Sequence, residues 1–250
     1  MILKNKDTSV TAVIFAGGVG TRMHSKDLPK QFLRIHGKPI IAWTIGVFEK
    51  TPCIDNVVVV CNANWLDHCQ SIISEFSLNK VRAVVAGGET GQLSIHNGLL
   101  AAAKLSDPKK TVVLIHDGVR PLIDAGTIER NVASVEEFGS SITCVKAKET
   151  ILVKADDGVE IVPRENVLLA RAPQGFWLSD ILAAHKMALD AGETGCIDSA
   201  TMMKAQGNDL HLIVGPDENI KITTQDDYYS MRSILDSREN NQLYAEGEDE

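Results

Sequence analysis

The sequence predicts an α/β fold: a mostly parallel sheet with helices on both faces and one β-arm projecting from the body. Three observations predict it. Short β-branched runs alternate with helical stretches from Thr11 to Val145. The runs are almost continuously apolar, as strands buried on both faces must be. The first run ends on Gly17-Gly18, and α/β sheets bind ligands beyond the carboxyl ends of their strands.

The elements follow in order. Residues 1–9 are polar and read as a loose leader. Thr11-Ala-Val-Ile-Phe-Ala16 is a buried strand, and Asn56–Cys61, Val81–Val85 and Thr111–Ile115 repeat its pattern. Helical patterns fill Ile40–Lys50, Asn64–Phe76 and Gln92–Lys104 between them. A helix over Ala125–Glu137 and a strand over Ser141–Val145 come next. From Lys146 to Arg164 the rhythm breaks. This stretch alternates apolar and polar residues about Asp156-Asp157-Gly158, which predicts a β-hairpin. Helices resume at Leu178–Leu189 and Ser199–Ala205, with late strands expected at Leu210–Val214 and Asn219–Ile222. Thr224 with Asp227 is a loose capping box opening a last helix, striped by Tyr228, Met231, Ile234 and Leu235. Residues 239–250 read as an acidic, flexible tail. A single domain over 10–238 with an arm at 146–164 accounts for the whole.

Composition bounds the function. In 250 residues, 33 are acidic and 25 basic, a net charge of −8. That balance gives no support to sequence-independent DNA binding, which rests on phosphate neutralisation. No apolar run approaches the roughly 20 residues of a membrane span, and no secretory signal opens the chain. The reading is a cytoplasmic protein with neither nucleic acid nor membrane as partner. Cys53, Cys61, Cys69, Cys144 and Cys196 are odd in number and contain no Cys-x-x-Cys, so buried thiols are expected rather than a disulfide framework or zinc site. The seven histidines form no His-Glu-x-x-His pair.

The chemistry gathers in Phe15-Ala-Gly-Gly-Val-Gly-Thr-Arg-Met23. Glycines after a strand let backbone N–H groups approach phosphate oxygens. A dinucleotide fold would show Gly-x-Gly-x-x-Gly, but Thr21-Arg22-Met23 follow Gly20, and no Walker pattern occurs. Arg22, Lys26, Lys30, Arg34 and Lys38 make a basic island beside these glycines, read either as a phosphate site or as a solvated face.

Gly17-Gly18-x-Gly20-x-Arg22-Met23 with Pro29-Lys30-Gln31 resembles the CTP:polyol-phosphate cytidylyltransferases. The likeness continues through His116-Asp-Gly-Val-Arg-Pro121, Pro173-Gln174 and Asn219-Ile-Lys-Ile-Thr223, covering roughly residues 10–236 in the family's order. The resemblance implies a Rossmann-like, GT-A-like nucleotidyltransferase domain whose arm crosses a homodimer interface. It implies attack by a polyol-phosphate oxygen on the α-phosphorus of CTP, with pyrophosphate leaving and Mg²⁺ as cofactor. Residue by residue, Phe15, Ala16, Gly17, Gly18 and Gly20 would cradle CTP, with Gly87, Gly88 and Ser94 from a second loop. Arg22 and Lys30 would stabilise the pentavalent phosphorus. Asp117 would meet the ribose or a triphosphate-bound Mg²⁺. Arg120, Thr150, Arg164 and Lys221 would hold the acceptor's phosphate, Thr150 and Arg164 by reaching the neighbouring subunit, and Arg164 and Lys221 also count among the catalytic cations.

The plainer readings stand beside these. Asp117 and Arg120 pair across a turn in one of them, Arg164 is a solvated arm residue in another, and Lys221 faces solvent in a third. The sequence also departs from the family. Gly91 occupies the place of an arginine common after the Gly-Gly pair, Ala172 replaces a threonine, and Gly118 an alanine. Ribitol 5-phosphate is the acceptor the motifs favour, for teichoic acid or capsule synthesis, with methylerythritol 4-phosphate of isoprenoid synthesis as the alternative. A catalytically silent homologue and a nicotinamide-dependent oxidoreductase are the rivals from other classes.

Overall fold

Valine and isoleucine set the architecture, because their runs are buried on both sides. The computed structural model describes residues 5, 7–17, 28–156 and 158–245, with side chains as far as residue 240. In chain order come β1 (Ser9–Ala16), the short pair β2 (Arg34–Ile35) and β3 (Lys38–Pro39), α1 (Ile40–Lys50), β4 (Asn56–Cys61) and α2 (Leu66–Glu75). Next are β5 (Val81–Ala86), α3 (Gly91–Ala102), β6 (Thr111–Asp117), α4 (Ala125–Phe138) and β7 (Ser140–Lys146). The hairpin β8 (Ile151–Ala155) and β9 (Gly158–Val162) precedes β10 (Leu168–Trp177), α5 (Leu178–Asp190), α6 (Ser199–Ala205), β11 (Leu212–Val214) and α7 (Gln225–Ala245). The described residues form a seven-stranded sheet in the order β11-β7-β10-β6-β1-β4-β5, with β10 antiparallel to both neighbours and every other pairing parallel.

Strand alternation sorts the core into two layers. Val10, Ala12 and Ile14 of β1, Val57 and Val59 of β4, and Val112 and Leu114 of β6 pack with α1, α2 and α4. Val13, Val58, Val60, Val113 and Ile115 face the other way, onto α3, α5 and α6. A third cluster, Ile35, Ile40, Val119, Leu122, Ile222, Met231 and Leu235, docks α7 beside the carboxyl edge of the sheet. Burying one such Val, Ile or Leu is worth about 1.5–3 kcal/mol. All five cysteines are free thiols. Among the described residues no helix is long and apolar enough to cross a membrane.

The last helix begins as the capping box requires: Asp227 Oδ2 accepts the Thr224 N–H at 2.7 Å while Thr224 Oγ1 accepts the Asp227 N–H at 3.3 Å. The arm is a separate two-stranded sheet, pairing Ile151 with Val162 through Ala155 with Gly158, and its turn passes through Asp156.

Four sequence expectations need correction. Ser9 already belongs to β1 and Thr8 is buried, so the leader ends earlier than residue 9. β10 went unrecognised as a strand, because Pro173 within it withholds a ladder donor and argues against a central strand. It is accommodated where the register with β7 shifts between Ala170 and Gln174. Asn219–Ile222 is not a strand: the Asn219 carbonyl accepts from Arg120, and the Ile222 N–H donates to Val119 O at 2.9 Å, so no ladder is left to form. α7 runs to Ala245, beyond the start of the expected tail at residue 239. Residues 246–250 and Asp157 lie outside the described residues.

Candidate active site at the carboxyl ends of β1 and β6

Phe15 pairs in register with Asp117, so the ends of β1 and β6 lie side by side. From β1 the sheet grows toward β4 and β5 on one flank and toward β6 and β10 on the other. A crevice forms at such a reversal, outside the strand ends. Here it is a cavity of about 350 Å³, bordered by Phe15, Gly91, Asp117, Arg120, Arg171 and Lys221.

Asp117 organises the crevice. It is 5% exposed, and its Oδ2 accepts from Arg120 Nε at 2.7 Å while its Oδ1 accepts from Lys221 Nζ at 2.6 Å. Burial pushes the carboxyl's pKa up, but Lys221 and Arg120 outweigh it and hold the group below the ordinary carboxylate range. One anion between two cations leaves a net positive charge facing the cavity. The turn reading of Asp117 and Arg120 is thus correct as geometry, and Lys221 joins the same pair. Lys221 Nζ also sits 5.9 Å from the Phe15 ring centroid, and Arg120 Nη1 donates to Asn219 O at 2.9 Å. Asn219, fully buried, donates in turn to Ala172 O at 2.7 Å, tying the Lys221 segment to β10.

The glycine loops meet at Ser94. Its Oγ accepts the Gly88 N–H at 3.1 Å and donates to Thr90 O at 2.9 Å. A Cβ on Gly87 would lie 2.8 Å from that oxygen, and one on Gly17 would lie 3.5 Å from it. The hydroxyl is therefore a strut of the second loop. Gly118 is equally constrained: its N–H donates to Phe15 O at 2.9 Å, and a Cβ would stand 3.0 Å from that of Ala16. Gly91, in contrast, has no neighbour among the described residues within 4 Å of where its Cβ would be.

Lys30 reaches the same strand end through its neighbour. It opens a 3-10 turn, Lys30–Phe32, in which the buried Gln31 donates from Nε2 to Ala16 O at 2.7 Å. Gly18, Gly20, Arg22 and Lys26 lie outside the described residues. The rest of the basic island does not converge on the crevice. Arg34 forms a bidentate pair with Glu75 at 2.9 Å, and Lys38 stands over the Trp43 ring at 4.8 Å. Thr150 and Arg164 also stay out of their own chain's cavity: both are exposed, and Arg164 Nη1 donates to Lys148 O at 3.3 Å.

Several residues of the site escaped sequence reasoning. Arg171 lines the cavity from β10. Gln174 bridges Asp198 Oδ2 and the Ala200 N–H, at 2.9 Å each, while Gln92 bridges Glu193 O and the Cys196 N–H. These two buried amides hold the 193–199 loop over the cavity, with Ile197 90% exposed at its rim. The detectable signal was a glutamine inside an apolar run, since a buried amide implies a partner loop.

No group of three His, Cys, Asp or Glu able to hold a metal occurs among the described residues. A single aspartate with cation partners suits a metal carried by substrate phosphates rather than a resident ion, the usual mode for Mg²⁺.

A crevice at a topological reversal, lined by Arg120, Arg171 and Lys221 against Asp117 and Asp198, defines an α/β protein with a net positive site. The comparisons specify which one. The family model described as 2-C-methyl-D-erythritol 4-phosphate cytidylyltransferase matches residues 10–237, and the chain belongs to that family. It is 53% identical over 235 residues to a ribitol-5-phosphate cytidylyltransferase of Streptococcus agalactiae serotype III, covering 93% of this chain and 98% of that one. It is 40% identical over 230 residues to a 2-C-methyl-D-erythritol 4-phosphate cytidylyltransferase of Geotalea uraniireducens, covering 91% and 97%. Among solved structures it is similar to 4-diphosphocytidyl-2C-methyl-D-erythritol synthase from Anaerococcus prevotii, with a TM-score of 0.79, 27% identity, and coverage of 92% and 97%. The protein is a cytidylyltransferase, and the oxidoreductase reading falls away.

Proposed function

We propose that the chain transfers CMP from CTP to ribitol 5-phosphate, giving CDP-ribitol and pyrophosphate. The observation that carries this reading is the Asp117 carboxylate holding Arg120 and Lys221 at the cavity wall, together with the 53% relative. A phosphate oxygen of the acceptor attacks the α-phosphorus; the new P–O bond forms as the bond to the pyrophosphate oxygen breaks. Both reactants are anions, so the barrier falls when fixed cations meet the developing charge and hold the partners in line. Arg120 and Lys221 take the acceptor phosphate, Lys30 and Arg22 the phosphorus, and the loops at Gly17 and Gly87 the nucleotide. Mg²⁺ bound through the triphosphate oxygens would neutralise charge there.

The working unit is a homodimer. Leu152, Val159 and Ile161 of the arm are 63–67% exposed, an apolar surface that an isolated hairpin does not support in water. A partner subunit covering it would bring Thr150 and Arg164 to the second copy's cavity. A soluble pool of CTP places the reaction in the cytoplasm, upstream of teichoic acid or capsule assembly. Pyrophosphate release from CTP, measured with ribitol 5-phosphate and with methylerythritol 4-phosphate, tests the assignment. Higher kcat/KM with ribitol 5-phosphate is expected, and little turnover with purine triphosphates. A preference for methylerythritol 4-phosphate would move the chain to isoprenoid synthesis, and turnover with neither would leave only the general cytidylyl transfer standing, with another polyol phosphate as acceptor.

A further inference from the structure

β10 breaks its own alternation at the cavity. Ala170, Arg171 and Ala172 all border it, although consecutive residues of a regular strand face opposite ways. The register shift between Ala170 and Gln174 allows this, and it turns the Arg171 side chain into the wall that carries Arg120 and Lys221. There Arg171 Nη1 donates to the carbonyls of Asp217 at 2.8 Å and Pro216 at 3.4 Å. Among the described residues no carboxylate pairs with it: Asp217's is bound to Lys148 at 2.8 Å, and Asp117's holds Arg120 and Lys221. Burial and the nearby Arg120 guanidinium push the Arg171 pKa down, against the opposing pull of the Asp217 carboxylate. The backbone carbonyls fix the guanidinium in place while Nε and Nη2 remain for a ligand.

Arg171 also borders the groove on the arm side of the cavity, lined by Lys148 and Asp217, and so lies at the end remote from the Gly87 loop. At that end it shares the cavity wall with Arg120 and Lys221, to which the proposed function gives the acceptor phosphate.

We infer that Arg171 is a substrate-binding residue that anchors the phosphate of the acceptor. The inference rests on the polyol-phosphate reading above. Its planar fork suits a phosphate, and two parallel N–H donors fix orientation as well as charge.

Steady-state kinetics of wild type, Arg171→Ala and Arg171→Lys, with CTP and ribitol 5-phosphate varied separately, tests it. Arg171→Ala is expected to raise KM for ribitol 5-phosphate tenfold or more while KM for CTP stays within twofold, and Arg171→Lys to recover part of the loss. An unchanged acceptor KM, or equal rises in both KM values, overturns the assignment. Calorimetric titration with inorganic phosphate separates this outcome from failure of the underlying reading. If wild type shows no turnover, the proposed reaction falls; Arg171 keeps its role only if phosphate binding is present in wild type and weakened in Arg171→Ala, and loses it otherwise. Matched thermal melting of the three proteins excludes a folding defect.

Discussion

Asp117 shows how one side chain sets the electrostatics of the site. Replacing this carboxylate strands the largely buried Arg120, and breaking such a pair typically costs about 3–5 kcal/mol, while Lys221, 41% exposed, turns to water. Lys30 and Gln31, adjacent in sequence, separate chemistry from structure in the same turn. Lys30→Ala is expected to lower kcat about a hundredfold, the usual cost of one fixed donor to transition-state charge, while the fold survives. Gln31→Ala strands the Ala16 carbonyl and is expected to cost about 1–3 kcal/mol of stability in urea unfolding. Near-wild-type turnover by Lys30→Ala would remove it from the mechanism, and undiminished stability of Gln31→Ala would remove the strut. Neither distinction is visible from the Pro29-Lys30-Gln31 motif, in which both residues are simply polar.

Among elements, the arm was legible and β10 was not. The arm declares itself by alternation about a turn, which is local information. β10 is identified by its partners, β6 and β7, which lie far away in sequence and override the warning of Pro173. The segment around Lys221 is the converse case: its alternation imitates a strand, while its backbone groups are claimed by Arg120, Arg171 and Val119. For the arm the expectation is complementation across subunits. A heterodimer of an Arg164→Ala chain and a Lys30→Ala chain retains one intact composite site and should recover about half of wild-type activity. Verified heterodimers no more active than either parent would show that each arm serves its own subunit.

For the molecule as a whole, two buried histidines link folding to pH. Burial depresses His116 to about 4, and burial together with the neighbouring His96 does the same to His185, whose ring nitrogens are unpartnered among the described residues. Both are neutral in the folded protein, while the unfolded chain takes up protons near the ordinary histidine value of about 6.5. Their contribution is therefore fully present above that value and is lost as pH falls from about 6.5 toward 4, by up to about 1.4 kcal/mol per pH unit per histidine. Urea unfolding at pH 7.5 and 5.5 should show the loss, and His185→Leu should reduce the slope by about one proton. An unaltered slope in that variant would mean that His185 is not held neutral.

Periodicity and glycine placement were enough to specify an α/β sheet covered on both faces and its arm, because each is written in neighbouring residues. The pairing of Asp117 with both Arg120 and Lys221, the strut role of Ser94, the diversion of Arg34 and Lys38, and the arrival of Arg171 were decided by tertiary structure alone. Those contacts join residues up to about a hundred positions apart, and a side chain's electrostatic role depends on which distant partner reaches it first.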